Sequence, residues 1–339
     1  MSVNVLVALD LPAEHVARIA AVDPRISVRA IGTGQRDSFG GRLPYPSELT
    51  ARTPDNELAA ALEDAEVMFA GWANMLPNAE LVTAAPHLRW VQLLHVGYER
   101  VDPARVGDVT FTNIGEMSAG PIAEWVIGCM LMFAKGWPPA YRHQRDHAWT
   151  RYMPREVAGS TVGIIGLGSI GGEVARRARD LGCRVIGTRR AFETTPSHPL
   201  LDEALPPSRL DDLLSASDYV VLTAPLTEQT RGIIDARALA LMRPEGVLLN
   251  VGRGALIDEP ALIEALRERR IGGAALDVFE QEPLPEDSPL WDLENLAITP
   301  HIAAGTDHYY ERATGIFCAN LRRYLDGEPL AHIVDPRAG

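Results

Sequence analysis

The sequence predicts an α/β protein made of two doubly wound parallel-sheet domains. Short apolar, β-rich runs alternate with helical stretches along the whole chain, and such alternation implies βαβ units. The runs are almost continuously apolar, which is typical of parallel strands covered on both faces. The length of 339 residues corresponds to about two domains of ~150 residues each.

The predicted strands form two series. The first comprises residues 3–9, 26–31, 66–70, 88–94 and 109–113, with helices predicted at 55–63 and 79–85. The second comprises residues 161–166, 184–188, 219–224, 246–251, 274–278 and 296–299. We therefore predict one domain over residues 1–113 and 306–339, to which the chain returns at its end, and a second over residues 114–305.

The segment 118–134 lies between the two series and is apolar around nearly its whole circumference. A helix of that kind has to be buried on several sides. We expect it between the domains or in a subunit contact, and the second possibility predicts a homodimer.

The amino-acid composition limits the kinds of partner that the protein is expected to bind. Lys and Arg number 32 against 45 Asp and Glu, so the formal net charge is -13, which disfavours nucleic acid and anionic membranes. The cysteines are far apart and have no metal-ligand spacing. The N-terminal run lacks the basic region of a signal peptide, and the apolar stretch 122–134 is shorter than the ~20 residues of a membrane span. We predict a cytoplasmic protein without metal.

The strongest motif lies at residues 161–171, Thr-Val-Gly-Ile-Ile-Gly-Leu-Gly-Ser-Ile-Gly, where an apolar strand precedes G-x-G-x-x-G and a helix follows it. Gly166 permits a tight turn, Gly168 allows close approach of a pyrophosphate, and Gly171 allows the helix to pack on the strand. The N–H groups at the helix start, including Ser169 and Ile170, would then bind phosphate. The motif predicts a nicotinamide dinucleotide, and a merely structural turn is the alternative.

The end of the second strand of this domain indicates which dinucleotide. Enzymes that prefer NAD carry an acid there for the ribose 2′-hydroxyl. This chain instead has Thr188 followed by Arg189 and Arg190. The guanidinium groups of the two arginines suit a 2′-phosphate. We predict that NADP is preferred and NAD possible, unless both arginines point into solvent.

Three later segments carry a family resemblance. They are Asn-Val-Gly-Arg-Gly at 250–254, Asp-Val-Phe-Glu-Gln-Glu-Pro-Leu-Pro at 277–285 and Thr-Pro-His-Ile-Ala-Ala at 299–304. With the dinucleotide turn, Thr-Ala-Pro-Leu at 223–226 and His-Val-Gly at 95–97, they resemble the D-isomer-specific 2-hydroxyacid dehydrogenases, which include hydroxypyruvate and glyoxylate reductases. The resemblance implies a flavodoxin-like substrate-binding domain, a Rossmann dinucleotide-binding domain, and hydride transfer between NADP(H) or NAD(H) and a small 2-keto or D-2-hydroxy acid.

The resemblance also implies three catalytic residues. Arg253 would hold the substrate carboxylate and keto oxygen, for which a guanidinium fork is suited; a structural ion pair is the alternative. His301 would protonate the keto oxygen, since an imidazole titrates near pH ~6.5; a satisfied core histidine is the alternative. Glu282 would favour the imidazolium and fix its tautomer, and Glu280 is the weaker candidate by register.

The remaining site residues are implied in the same way. Asp277 would lie near the nicotinamide ring, with a turn or cap residue as the alternative. Backbone N–H groups of Val96 and Gly97 would bind the carboxylate, next to His95, where a small residue is more usual. The cofactor would lie on the second domain and the substrate in a cleft between the domains. The resemblance places further cofactor contacts at Ala224, Pro225, Thr230, Val251, Gly252 and Ala303.

Two other functions stay open at this point. Formate or phosphite oxidation would need extra polar residues around a tiny anion, and no decisive sign of them is present. A cofactor-sensing binding module that resembles the C-terminal-binding corepressors would keep the same residues but show negligible turnover.

Overall fold

The computed structural model describes residues 2–9, 11–31, 55–70, 84–94, 107–195 and 197–334. The chain divides into two compact units, Met1–Ser118 with Thr306–Gly339, and Ala119–Gly305. The chain returns to the first unit after Gly305, at the predicted limit. It passes from the first unit to the second after Ser118, later than the predicted limit at residue 113. The reason is that Ile114 and Met117 still pack in a core cluster of the first unit.

The elements of the first unit are β1 (Val3–Ala8), α1 (Ala13–Ala20), β2 (Ile26–Ala30), α2 (Asp55–Asp64), β3 (Val67–Ala70), β4 (Trp90–Leu93) and β5 (Thr110–Thr112). Those of the second unit are α3 (Ala119–Ala134), α4 (Trp137–Arg145), β6 (Thr161–Ile165), α5 (Ser169–Asp180), β7 (Arg184–Thr188), β8 (Glu203–Leu205), α6 (Leu210–Ala216), β9 (Tyr219–Leu222), α7 (Ala236–Leu241), β10 (Val247–Asn250), α8 (Glu259–Arg267), β11 (Gly273–Leu276) and β12 (Leu296–Ile298). The chain returns to the first unit with α9 (Tyr309–Asp326) and β13 (Ile333–Val334).

The sheet of the first unit has the order β13-β5-β4-β3-β1-β2. Its parallel part, read from the other edge, is 2-1-3-4-5, the flavodoxin-like order, so this prediction is confirmed. The strand β13 pairs antiparallel with β5, through Ile333 opposite Thr112, and was not predicted. A two-residue edge strand has too short an apolar pattern to be recognised in the sequence.

Aromatic packing fills the core of the first unit beneath α9. Phe317 of that helix stacks on Phe69 of β3 with ring centroids 4.5 Å apart. Trp90 of β4 is fully buried, and its Nε1 donates to the hydroxyl of Thr112 at 2.8 Å. The C-terminal helix therefore covers one face of the N-terminal sheet.

The sheet of the second unit has the order β12-β11-β10-β9-β6-β7-β8, and its ladders are parallel. Counted within the unit, the order is 3-2-1-4-5-6-7, which contains the Rossmann order. The strand order reverses between β6 and β9, and ligands bind at such a switch point. The predicted fold class is thus confirmed, and only the polar edge strand β8 was missed here.

The apolar helix α3 buries one face against described residues of the second unit. Its buried residues follow helical spacing and face α5 and the sheet strand β10. They are Ala119, Ile122, Ala123, Val126, Met130 and Ala134. Glu124, Gly128 and Leu131 are exposed in the single chain, so the expected burial of the helix on several sides stays a prediction.

In the described part of the chain, one helical stretch, Gly115–Ala134, is long and apolar enough to cross a membrane by length and composition. At 20 residues it is longer than the stretch 122–134 considered in the sequence, because a 3-10 turn precedes α3. This is weak evidence for a membrane span, since the core helix of a domain passes the same test.

Candidate active site

The predicted site residues of the second unit lie on loops at one edge of its sheet. Gly166 follows β6, Arg253 follows β10, Asp277 follows β11 and His301 follows β12. Because these strands are parallel, their carboxyl ends meet at the same edge. This is the edge where open α/β sheets bind ligands.

The three glycines of the dinucleotide turn have the geometry that the sequence predicts. Gly166 has φ +99°, and a Cβ there would lie 2.4 Å from the backbone nitrogen of Ala224. A Cβ on Gly171 would lie 2.2 Å from the carbonyl oxygen of Gly166, so the helix packs tightly on the strand end. A Cβ on Gly168 would meet no atom within 4 Å, which leaves space for a ligand beside the backbone.

The start of α5 offers backbone donors at this turn. Gly168 is the N-cap residue and provides no side-chain cap. The first N–H groups of a helix have no partner within the helix, so those of Ser169, Ile170 and Gly171 can bind an anion. Together with the space at Gly168, this arrangement fits the pyrophosphate of a dinucleotide.

The end of β7 carries a second sign of a ligand. Thr188 is buried, and its hydroxyl has no hydrogen-bond partner among the described residues. Buried hydroxyl groups are nearly always hydrogen-bonded, so a bound ligand is expected to supply the partner here. Arg189 and Arg190 follow it and are exposed, with the Arg189 guanidinium carbon 4.8 Å from the ring centroid of Phe192. The arginines are therefore accessible to a ligand on this strand end.

The loop after β9 contains three predicted cofactor contacts. Ala224 is buried against Gly166. The Thr230 hydroxyl donates to the carbonyl of Pro225 at 2.7 Å and accepts from the N–H of Thr227 at 2.8 Å. The Thr230 side chain thus closes its own turn, and it shapes the loop that carries Ala224 and Pro225.

Two further predicted contacts lie at the end of β10. Val251 is buried, and a Cβ on Gly252 would come within 2.8 Å of the Leu256 side chain and 3.0 Å of the Ala224 carbonyl oxygen. The glycine therefore lets the loops after β9 and β10 pack together at the sheet edge.

The structure pairs His301 with Glu282. Nδ1 of His301 lies 2.7 Å from Oε2 of Glu282, and the two side chains are 34% and 20% exposed. The other carboxylate oxygen, Oε1, accepts from the N–H of Phe279 at 3.0 Å. Glu280 is exposed, and its N–H donates to Oε1 of Glu259 at 2.6 Å. The histidine is thus paired with Glu282, in the register that the motif indicates.

Asp277 is buried, and its carboxylate holds the loop that carries His301. Oδ1 accepts from the Thr299 hydroxyl at 2.5 Å and from the N–H of Ile302 at 2.8 Å, and Oδ2 accepts from the N–H of Ala303 at 2.8 Å. Burial raises the pKa of Asp277, while these hydrogen bonds oppose that rise. The structure shows the turn-holding role that was the alternative in the sequence. Oδ2 retains one lone pair for a further donor, so contact with a nicotinamide stays a prediction.

Arg253 lies on a loop that packs against the loop of Glu282. Its Nη1 donates to the carbonyl of Gly252 at 2.7 Å, and its own carbonyl accepts from the side-chain amide of Asn250 at 2.9 Å. A Cβ on the next residue, Gly254, would lie 1.9 Å from the carbonyl carbon of Phe279. The two loops are therefore in backbone contact at Gly254, which fixes the guanidinium loop relative to the acid–base pair.

The sequence did not assign a role to Thr299, Gly254 or Glu259. Thr299 and Gly254 stand inside the quoted family motifs, which was the available signal; Glu259 had none. Val96 and Gly97 lie outside the described residues, so their predicted contact with substrate stays a prediction. Within the described ranges, no cluster of His, Cys, Asp or Glu could hold a metal ion.

The sheet order, the glycine turn at the switch point and the His–Glu pair at the same edge define an oxidoreductase of the NAD(P)-binding Rossmann class. Residues 127–303 match the family described as D-isomer specific 2-hydroxyacid dehydrogenase, NAD binding domain. The chain belongs to the D-isomer-specific 2-hydroxyacid dehydrogenase family, and its second unit contains the NAD-binding domain of that family.

Named relatives span several substrates. Glyoxylate/hydroxypyruvate reductase A of Arabidopsis thaliana is 34% identical over 266 residues, covering 77% of this chain and 82% of that protein. (S)-Sulfolactate dehydrogenase of Chromohalobacter salexigens is 39% identical over 256 residues, covering 73% and 81%. The structure of an NADPH-dependent glyoxylate/hydroxypyruvate reductase from Sinorhizobium meliloti, in complex with NADP and sulfate, matches with TM-score 0.76 at 28% identity and covers 99% of both chains.

Proposed function

We propose that this chain reduces a small 2-keto acid to the D-2-hydroxy acid, with NADPH preferred over NADH. The observation that carries the proposal is the 2.7 Å contact between His301 Nδ1 and Glu282 Oε2 at the carboxyl edge of the sheet. The glyoxylate and hydroxypyruvate reductases among the relatives support the substrate class. The mixture of substrates in their names leaves the particular acid to experiment.

In the proposed mechanism His301 moves one proton. A reduced nicotinamide, when bound, supplies the hydride for the keto carbon. The imidazolium of His301 donates the Nε2 proton to the keto oxygen, so that the C=O bond becomes a CH–OH group and the imidazole is left neutral. Oxidation of the hydroxy acid is the reverse, with the neutral imidazole accepting the hydroxyl proton.

Glu282 and Arg253 prepare the reactants for this transfer. The Glu282 carboxylate accepts from Nδ1–H, which leaves Nε2 as the nitrogen that exchanges the proton, and its charge stabilises the imidazolium. The guanidinium of Arg253 binds the substrate carboxylate with two parallel hydrogen bonds and polarises the keto group. A proton donor fixed at the reacting oxygen contributes through orientation as well as acidity.

The test is the oxidation of NADPH and NADH with glyoxylate, hydroxypyruvate, pyruvate, 2-ketoisocaproate and phenylpyruvate. Turnover with at least one of these acids supports the proposal, and the rank order measures the size of the pocket. Tight cofactor binding without turnover of any acid would contradict it and would favour the corepressor-like module. That alternative has no support from the reported relatives, which are named as enzymes.

The preference for NADPH is tested by the double variant Arg189→Ala with Arg190→Ala. We expect its KM for NADPH to rise about 10-fold to 100-fold, because charge-assisted hydrogen bonds to the 2′-phosphate are lost, while the KM for NADH changes less than about twofold. Arg209→Ala, which removes an exposed arginine paired with Asp212, is the matched control. Equal catalytic efficiency of the wild type with both cofactors would show that the arginines do not select the phosphate.

We also propose a homodimer formed through the outer side of α3 and the segment after it. Leu131 is 38% exposed, and Trp149 and Met153 are 94% and 92% exposed, so contact with a second chain would remove their apolar surface from water. Light scattering at micromolar concentration is expected to give the mass of two chains. The double variant Trp149→Ser with Met153→Ser is expected to shift the mass toward one chain, and a monomeric wild type would contradict the proposal.

The cytoplasmic location and the lack of nucleic-acid or membrane partners stay predictions.

A further inference from the structure

His301 has an unusual backbone conformation. Its φ is +55°, in the left-handed region that only a few per cent of non-glycine residues adopt. A residue keeps such a conformation only when its surroundings hold it there. The direction of the imidazole follows from this backbone angle, so whatever holds the angle also aims the proposed acid.

Four hydrogen bonds to Asp277 hold this segment. The N–H of His301 donates to the Asp277 carbonyl at 2.9 Å, and the N–H groups of Ile302 and Ala303 donate to Oδ1 and Oδ2, each at 2.8 Å. The Thr299 hydroxyl donates to Oδ1 at 2.5 Å. Asp277 follows β11 directly and is 2% exposed, so the acceptor is itself fixed by the interior of the sheet.

We propose that Thr299 is a positioning residue, which acts through the Asp277 carboxylate to hold the His301 backbone and aim its imidazole for proton transfer. We call the Thr299 hydroxyl and the Asp277 carboxylate the Thr299–Asp277 clamp. The catalytic part of this inference rests on the proposed function, because it takes His301 as the acid. The structural part, that the hydroxyl fixes the imidazole, stands without it.

The hydroxyl is important because of where Asp277 lies. A buried carboxylate is costly unless donors surround it. The charge of Asp277 interacts electrostatically with His301 and with Cys129 of α3. Without the Thr299 donor, Oδ1 would keep only the N–H of Ile302 among the bonds described. The carboxylate would then rotate toward other donors, and the backbone of His301 would move with it.

The test compares Thr299→Val, which removes the hydroxyl at nearly constant shape, with Thr299→Ser, which retains it. For the valine variant we expect kcat to fall about 10-fold to 100-fold, since displacement of a catalytic group by about 1 Å has effects of that size. KM for the keto acid is expected to stay within about twofold of wild type, because the loop of Arg253 is unchanged. The serine variant is expected to restore kcat.

A second measurement follows His301 without turnover, by proton NMR of its imidazole in the free protein. The resonance is assigned by its loss in His301→Gln, and the hydrogen bond to Glu282 protects its Nδ1 proton from exchange. We expect Thr299→Val to shift this resonance and speed its exchange, and Thr299→Ser to leave both as in wild type. If the valine variant does not fold, Thr299→Ala removes the same hydroxyl with less bulk.

A wild-type kcat and an unchanged His301 resonance in the valine variant would overturn the inference. A fall in kcat that serine does not restore would overturn it as well, since the hydroxyl would then not be the cause. If the wild type turns over none of the keto acids, the proposed function fails, but the NMR comparison still decides whether the clamp holds the imidazole.

Discussion

His301→Gln is expected to lower kcat for 2-keto acid reduction by about 10²-fold to 10⁴-fold, the usual contribution of a positioned general acid. The side-chain amide of glutamine can still donate a hydrogen bond to Glu282, but it cannot give up a proton to the keto oxygen. The cofactor turn at Gly166–Gly171 and the loop of Arg253 are separate from this side chain. The Kd for NADPH and the KM for the keto acid are therefore expected to change less than about threefold.

The measurement is steady-state reduction over a range of pH, with Kd for NADPH obtained by fluorescence. Wild-type reduction takes its proton from the imidazolium, so the rate is expected to fall at high pH, and the variant is expected to lose this pH dependence. His308→Gln, which replaces an exposed histidine beside Asp307 and Glu311, is the control and keeps the wild-type profile. A kcat for His301→Gln within about threefold of wild type would remove the histidine from the proposed mechanism.

The main strands of both sheets could be predicted because they are buried on both faces. Runs such as Tyr219–Leu222 and Val247–Asn250 are apolar at nearly every position, and a soluble edge or loop would not tolerate that. The strands that were missed are edges: Glu203–Leu205 is partly polar, and Ile333–Val334 has two residues. At an edge, backbone pairing defines the strand, and the apolar pattern that sequence analysis detects is weak there.

The identities of the site residues could be predicted from motifs, but their hydrogen bonds could not. The motif places Asp277 at the cofactor, which stays a prediction, but it did not indicate that the carboxylate accepts from Thr299, Ile302 and Ala303. The motif likewise places Thr230 at the cofactor, which stays a prediction, but it did not indicate the hydrogen bond from its hydroxyl to the Pro225 carbonyl. In both cases the partner is chosen by the direction of the side chain after folding, which residue spacing does not determine.

The close packing at Gly254 is another contact that the sequence did not indicate, and substitution there is expected to have a large effect. The charge of its neighbour Arg253 can be recognised in the sequence. The requirement for glycine at position 254 is seen only in the folded structure, where the loop after β11 packs against it. A Cβ at this position would lie 1.9 Å from the carbonyl carbon and 2.2 Å from the carbonyl oxygen of Phe279. Those atoms are backbone, so they cannot rotate away as the end of a flexible side chain could.

Gly254→Ala is therefore expected to separate the loop of Arg253 from the loop of Glu282. We expect kcat/KM to fall about 10²-fold, because the guanidinium and the acid–base pair would no longer reach one substrate together. The free energy of unfolding is expected to fall by about 1–3 kcal/mol, as for other overpacked buried sites. Steady-state kinetics and denaturant unfolding measure the two effects separately.

The matched control is Gly172→Ala in α5, where a Cβ would lie 3.9 Å from its nearest neighbour, the Leu200 side chain. That variant adds the same methyl group at an ordinary van der Waals distance and removes a glycine from a helix, so it is expected to be as stable as wild type or more so. If Gly254→Ala matched it in stability and activity, the backbone contact between the two loops would not set the position of Arg253. If Gly254→Ala lost stability but kept kcat/KM, the contact would support the fold, and the guanidinium would have to be aligned by its own hydrogen bond to Gly252.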